Sequence, residues 1–182
     1  MTFAAQLAHR SQPMRPHTVQ APARAIAMDM LIKLYDAGSS GSAAVPQGLT
    51  VRKPIAPEYA LVASWIARHF SPGWSSEAQA AFANRPVSLF IATRADPAAL
   101  IGFCCYDTTA RGFVGPIGVL PEARKTGIGA AILHACLADM RTLGYAYAVA
   151  GHVGEPEFFR RAAAATAIEG STPGIYRGML RP

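Results

Sequence analysis

Charge is scarce in this sequence. Only 15% of its 182 residues are charged, against 51% hydrophobic, which excludes a chain that is disordered throughout. Long apolar runs are missing as well. The longest, Leu100–Tyr106, is strand-sized, and none approaches the ~20 residues of a membrane-spanning helix. Cysteine is rare: Cys104 and Cys105 sit side by side in a strand pattern and Cys136 in a helical one, with no Cys-x-x-Cys pair. That excludes a disulfide framework and a zinc site, and reads as reduced thiols in a cytoplasmic protein. No acid precedes Asp29, so Arg10, Arg15 and Arg24 carry half of the formal net charge of +6. The same stretch lacks the apolar core of a secretory signal. Elsewhere the basic residues are dispersed rather than striped, which disfavours nucleic acid and suits a small anionic ligand.

What is present divides at a Gly/Ser/Ala/Pro stretch, Ala37–Gly48. Residues 1–48 read as a disordered or loosely attached extension and linker, in which Met30–Tyr35 offers an edge strand. Residues 49–182 read as one compact domain. It starts with a strand, Leu49–Lys53, and a helix from about Pro57 to Phe70 with Tyr59, Val62, Ile66 and Phe70 near helical spacing. Ser71–Ser75 breaks that helix. Ser76 with Gln79 three residues on forms a capping box, predicting a second helix to about Asn84, ahead of Pro86. Val87–Thr93, Ala99–Asp107 and Gly112–Leu120 then read as an antiparallel meander, with turns at Arg94–Pro97 and Thr108–Arg111 short enough for hairpins.

From Gly127 the period becomes helical, with Ile128, Ile132, Cys136, Met140 and Leu143 as the apolar stripe and Gly144 as a left-handed cap. Tyr145–Ala150 follows as a buried strand, and a right-handed crossover places it parallel to Gly112–Leu120. Pro156 opens a further helix, and Ala167–Glu169 with Ile175–Leu180 read as a closing strand pair.

The chemistry concentrates at Val119-Leu-Pro-Glu-Ala-Arg124-Lys125-Thr126-Gly127-Ile128-Gly129-Ala130. A strand end, a basic pair, two glycines and a helix start put free N–H groups and a positive helix end at the sheet rim, where a phosphate binds. The spacing is neither a Walker loop nor a dinucleotide fingerprint: Val119 and Arg124 stand where the first needs glycine, and an antiparallel meander precedes it.

These residues resemble the signature of the GNAT superfamily of acyl-CoA-dependent N-acetyltransferases, Arg/Gln-x-x-Gly-x-Gly/Ala after a strand ending in Val-x-Pro. The order of elements from Leu49 to Leu180 fits too. The resemblance implies an α/β fold with a mixed, mostly antiparallel central sheet, a central parallel strand pair and flanking helices. It implies acetyl-CoA as co-substrate, without a metal, and transfer of the acetyl group to a primary amine of a small molecule or peptide. The pyrophosphate then falls to Arg124, Lys125, Thr126, Gly127, Ile128, Gly129 and Ala130, and the rest of the cofactor to Ile117, Val119 and Phe159. A backbone N–H near Val119 polarises the thioester.

Direct attack needs a base for the amine and is helped by an acid for the thiolate. Where many members carry Tyr, this chain reads Phe158-Phe159, so Tyr176, Tyr147 or water takes the acid's place, and a CoA-binding regulatory module with little catalysis is the alternative. Glu77, Asp107 and His152 are the candidates for the base. Glu77 leads, with Trp74 as a wall of the acceptor pocket and Asp107 and His152 beside the acceptor. The partners are acetyl-CoA and the amine, with no membrane; a homodimer stays open.

Overall fold

The computed structural model describes residues 27–36, 44–96 and 98–180. The stretch expected to be disordered, up to residue 26, and most of the expected linker lie outside them, as does Pro97 in the first hairpin turn.

Seven strands form one sheet in the order β2-β3-β4-β5-β6-β1-β7. They are β1 (Met28–Lys33), β2 (Leu49–Arg52), β3 (Leu89–Arg94), β4 (Ala99–Tyr106), β5 (Phe113–Val119), β6 (Tyr147–Val153) and β7 (Thr166–Ala167). Four helices flank it: α1 (Tyr59–His69), α2 (Pro72–Ala83), α3 (Ile128–Thr142) and α4 (Pro156–Ala163). All neighbours are antiparallel except β5 and β6, which the strand–helix–strand crossover through α3 joins in parallel. This is the mixed, mostly antiparallel sheet with a central parallel pair that the sequence implies.

The pleat divides the core in two. On one face Cys104, with Met30, Ile32 and Ile101, packs against Ile128, Ile132, Cys136 and Met140 of α3. On the other face Cys105, Phe103, Leu89 and Ile91 meet Val62 and Ile66 of α1 and Ala78 and Phe82 of α2. The adjacent cysteines thus face opposite ways.

Several expectations need correction. The strand ahead of Leu49 lies inside the sheet, between β6 and β7, rather than at its edge. Met30, Ile32 and Leu34 are fully buried there, and that apolar alternation drives the strand inward. The second helix starts at Pro72, because Ser71 is its N-cap and accepts from the Trp74 N–H at 3.1 Å. The Ser76 hydroxyl donates instead to the Pro72 carbonyl, so Glu77 sits in the second turn and not at the helix start. Leu143 is half exposed beyond the end of the α3 stripe. Strand β6 runs on to Val153, which takes His152 into the strand. Finally, Ile175–Leu180 forms no strand: Gly174–Tyr176 is a single 3-10 turn, and β7 pairs with β1.

Candidate functional site

The parallel contact of β5 and β6 is short. It holds at Phe113 with Val149 and Val114 with Ala150, after which the strands part. Pro116 has no N–H to offer a ladder, and the β4–β5 register slips between Cys104 and Tyr106. Beyond that point β5 stays on β4, pairing Cys104 with Ile117, Phe103 with Gly118 and Gly102 with Val119. The Leu120 N–H donates to the Ile101 carbonyl at 2.9 Å, which makes Gly102–Val119 a non-hydrogen-bonded pair. The N–H and C=O groups of Val119 and, two residues back, of Ile117 therefore point away from β4 into the gap. The result is a wedge, closed at a fork near Gly115 and Gly151 and open at Val119. At a rise of ~3.3 Å per residue its β5 wall, residues 115 to 119, is roughly 13 Å long.

The open end is built from local backbone. After the turn Pro121–Ala123, the Arg124 Nε donates to the Val119 carbonyl at 3.1 Å and the Thr126 hydroxyl to the Ala123 carbonyl at 2.8 Å. Gly127, at φ +94°, caps α3 in a left-handed conformation that disfavours any side chain. The first intrahelical bond runs from the Ala131 N–H to the Gly127 carbonyl, so the N–H groups of Ile128, Gly129 and Ala130 are left to a ligand. Arg124, Lys125, Thr126 and Gly127 are exposed, and neither cation meets a carboxylate among the described residues. The floor is tight: a Cβ on Gly129 would lie 3.4 Å from the Phe158 ring and 3.6 Å from the Val119 side chain. Phe158 thus closes the wedge from the α4 side, while Phe159 turns into the core. An anion fits this end.

The fork is built from side chains of distant segments. A Cβ on Gly151 would lie 2.7 Å from the Tyr176 Oη and 2.8 Å from the Phe113 ring, so the phenol rests on bare backbone where the strands part. The Thr109 hydroxyl, in the β4–β5 turn, donates to a carboxylate oxygen of Glu77. Its neighbour Thr108 donates to the Gly115 carbonyl at 3.2 Å, which leans the turn on the fork. Burial raises the Glu77 pKa above the ordinary 4.5, and the Thr109 hydrogen bond partly opposes this. Burial also raises the Tyr176 phenol, with the Thr109 hydroxyl opposing and smaller upward contributions from Glu77 and Asp29. A half-buried carboxylate and a half-buried phenol at one end of the wedge can take and give a proton.

Asp29 of β1 holds the last segment in place. Its carboxylate accepts from the His152 N–H at 2.8 Å and lies 3.1 Å from the position of a Cβ on Gly174. Its backbone N–H donates to the Ser171 hydroxyl at 2.9 Å, and its carbonyl accepts from the Ile168 N–H at 2.9 Å. The His152 ring stands 5.3 Å from that of Tyr176.

A shallow hollow of about 450 Å³, lined by His69, Phe70, Ser71 and Trp74, opens on the α1–α2 side. Phe70 stacks on Trp74 at 5.4 Å and covers Gly118, where a Cβ would be 2.7 Å from its ring. Trp74 lies one helical turn before Glu77, on the same side of α2.

The structure therefore brings Glu77 and Tyr176 together, with His152 beside them, and sets Ile117 and Val119 along the wedge toward Arg124–Ala130. It keeps two other residues apart from this arrangement. Asp107 accepts from the Gly112 N–H at 2.7 Å and from the Tyr145 hydroxyl at 2.6 Å, which commits one oxygen to the hairpin and the other to the segment before β6. Tyr147 sits before the fork and shares a 3.1 Å hydrogen bond with Tyr35. Sequence reasoning missed Thr109, read only as a turn residue, along with Asp29 and Phe70. For Asp29 the signal was a lone acid at the head of an apolar run.

Comparison with known proteins bears on this geometry. The family model described as Acetyltransferase (GNAT) family matches residues 59–163, more than half of the chain. No curated protein sequence matches. Among solved structures, the GCN5-related N-acetyltransferase from Sphaerobacter thermophilus superposes with a TM-score of 0.61 at 19% identity, over 78% of this chain and 48% of that one. A GCN5-related glucosamine N-acetyltransferase region of a fungal multi-domain GH3 beta-N-acetylglucosaminidase gives 0.60 at 16%, over 78% and 20%. A tandem GNAT protein from the clavulanic acid biosynthesis pathway gives 0.54 at 16%, over 79% and 51%. The chain spans about half the length of two of these and a fifth of the third, and at such identities the likeness is one of fold.

Proposed function

The chain belongs to the acetyltransferase (GNAT) family, and from that premise we propose that it transfers an acetyl group from acetyl-CoA to a primary amine of a small molecule or peptide by direct attack. The observation that carries this reading is the wedge itself: an anion cradle at one end and a proton-handling cluster at the other, separated by about the length of an extended pantetheine arm. In this reading the pyrophosphate binds the N–H groups of residues 127–130 with Arg124, Lys125 and Thr126. The arm runs along the free edge of Ile117–Val119 under Phe158, with Phe159 supporting it from the core.

The neutral amine attacks the thioester carbonyl carbon, the new C–N bond forms, and the C–S bond breaks. Glu77 takes the amine proton and Tyr176 protonates the thiolate. The free N–H groups on the inner edge of β5 nearest the fork, that of Ile117 first, stabilise the oxyanion, while that of Val119, at the open end, holds the arm instead of the thioester. The hollow beside Phe70 and Trp74 holds the body of the acceptor, and His152 flanks it. The reaction so written uses no metal, and no group of three or more His, Cys, Asp or Glu able to hold one occurs among the described residues. No helix among them is long and apolar enough to cross a membrane. We assign the protein to the cytoplasm on its three free, buried cysteines.

A second reading, a CoA-binding module with little catalysis, is favoured by Phe158 at the position where many relatives hold an acid. Two measurements separate them. Acetyl-CoA raises the thermal midpoint under both readings, whereas thiol release across a panel of primary amines occurs only under the first. A chain that shows no midpoint shift at saturating acetyl-CoA is neither.

A further inference from the structure

A carboxylate is out of place at Asp29. It lies in an otherwise apolar stretch of an interior strand, 7% exposed, between Met28 and a fully buried Met30. Burying such a group is costly unless specific partners use it. It also faces an irregular pairing. Met28 pairs with Val153 and Met30 with Ala150, so Asp29 alone stands opposite two residues of β6, Gly151 and His152. His152 takes a left-handed φ of +48°, uncommon for a residue with a side chain. Its N–H is the one that the Asp29 carboxylate accepts, at 2.8 Å.

The same residue fastens the last segment. Its backbone binds Ser171 and Ile168, and next to it the Ala27 carbonyl accepts from the Thr172 hydroxyl at 2.6 Å. Its Oδ2 lies 3.1 Å from where a Cβ on Gly174 would stand, so the turn Gly174–Tyr176 rests on the carboxylate. The Tyr176 Oη in turn lies 2.7 Å from the Cβ position of Gly151, and its ring 5.3 Å from that of His152. One side chain thus touches both the bulge beneath the phenol and the turn that carries it. We propose that Asp29 is a positioning residue for acetyl transfer: it fixes the β6 bulge and the final turn against each other and so sets the Tyr176 phenol at the fork, where the CoA thiolate departs.

The proposal rests on the acetyl-transfer reading of the same site, with Tyr176 as the acid. Asp29 touches no reacting atom and moves no proton, and its effect passes through Tyr176. Removing it therefore slows the reaction no more than removing the phenol does, and not at all once the phenol is gone. The other titratable groups around the phenol are His152 of β6, in ring contact, and Glu77 of α2, which acts on it through charge.

The test uses the full chain with three variants. Asp29→Ala removes the carboxylate, Asp29→Asn keeps its shape and an oxygen for the His152 N–H, and Gly174→Ala pushes the exposed turn off an intact Asp29. With an amine that supports thiol release, kcat of Asp29→Ala falls about tenfold, as for Tyr176→Phe, while KM for acetyl-CoA stays within about twofold and Asp29→Asn keeps most of the rate. Asp29→Ala combined with Tyr176→Phe is no slower than Tyr176→Phe alone. Gly174→Ala lowers kcat in the same way and gives the same cycle with Tyr176→Phe, which decides the matter if Asp29→Ala does not fold. Carbon-13 NMR of labelled tyrosine, assigned with Tyr176→Phe, reads the phenol without any acceptor. Burial holds its pKa above 10, and in Asp29→Ala, or in Gly174→Ala, the midpoint falls back toward 10 as the ring is released to solvent. Additive losses in the double variant, an unmoved Tyr176 titration, or Asp29→Asn as slow as Asp29→Ala would each overturn the role of Asp29 and leave acetyl transfer standing. A Tyr176→Phe chain as fast as wild type overturns it too, together with Tyr176 as the acid. A wild-type chain that binds acetyl-CoA and releases no thiol with any amine removes the acetyl-transfer reading and this role with it.

Discussion

The two ends of the wedge are made differently. The open end, residues 119–130, is one continuous segment whose donors are backbone N–H groups, held by a glycine at φ +94° and two short side-chain bonds. The fork gathers Glu77 from α2, Thr109 from a hairpin turn, Gly151 from β6 and Tyr176 from the last turn, with Asp29 of β1 holding that turn. Binding an anion needs only local conformation. Handling a proton needs side chains brought together from across the chain. Substitutions at the two ends therefore separate affinity from turnover.

The largest expected effect is at the open end. At acetyl-CoA a thousandfold above its Kd, binding adds about 4 kcal/mol to the stability of the chain. Gly127→Glu abolishes that increment by placing a carboxylate and a strained side chain in the cradle. Strain alone lowers the midpoint, so the quantity to measure is the ligand-dependent shift. A retained shift breaks the assignment of this end.

Next comes Glu77→Gln, which keeps the hydrogen bond to Thr109 and removes the proposed base. Thiol release falls about a hundredfold while the acetyl-CoA shift survives. Loss of both would mean that the two ends are not separable. In the unaltered chain kcat falls as pH drops through the Glu77 pKa, because only the carboxylate accepts a proton. Burial sets that limb above 4.5.

Tyr176→Phe is milder, about tenfold in kcat, since a thiolate leaves fairly well unaided. It also removes the alkaline limb due to the phenol, which burial places above 10. The smallest effect lies outside the wedge. Arg52 holds Glu58 with bonds of 2.7 and 2.6 Å, and the guanidinium lowers its pKa from 4.5 to about 2. A depressed carboxylate stabilises above its unfolded pKa and loses this as pH falls from about 4.5 to 2. Half-exposed, the pair contributes less than about 1 kcal/mol, read as a small acid shift of the melting midpoint in Glu58→Gln.

The same contrast explains what the sequence made legible. The meander, α3 and the cradle rest on local period, turn residues and spacing, and they were readable in order. The α2 start was misplaced because two serines compete as caps, and only the position of the Trp74 N–H decides for Ser71. The Ile175–Leu180 segment carries strand-like residues, yet β1 pairs only with β6 and β7. Glu77 and Tyr176 were candidates, but their approach at the fork joins α2 to the last turn across about a hundred residues, and no spacing rule records it. Nor does any rule reveal that Asp29 reaches His152, 123 positions later.

The insertion of β1 between β6 and β7 has a consequence for the order of assembly. Met30 pairs with Ala150 and Ala167, so closing the sheet joins nearly the two ends of the described chain. Such non-local pairing pays its loop-closure entropy late, whereas the β3–β4–β5 meander and α3 form from near neighbours. During refolding, acetyl-CoA affinity is thus expected to return before turnover, with the phenol seated only when the first strand docks.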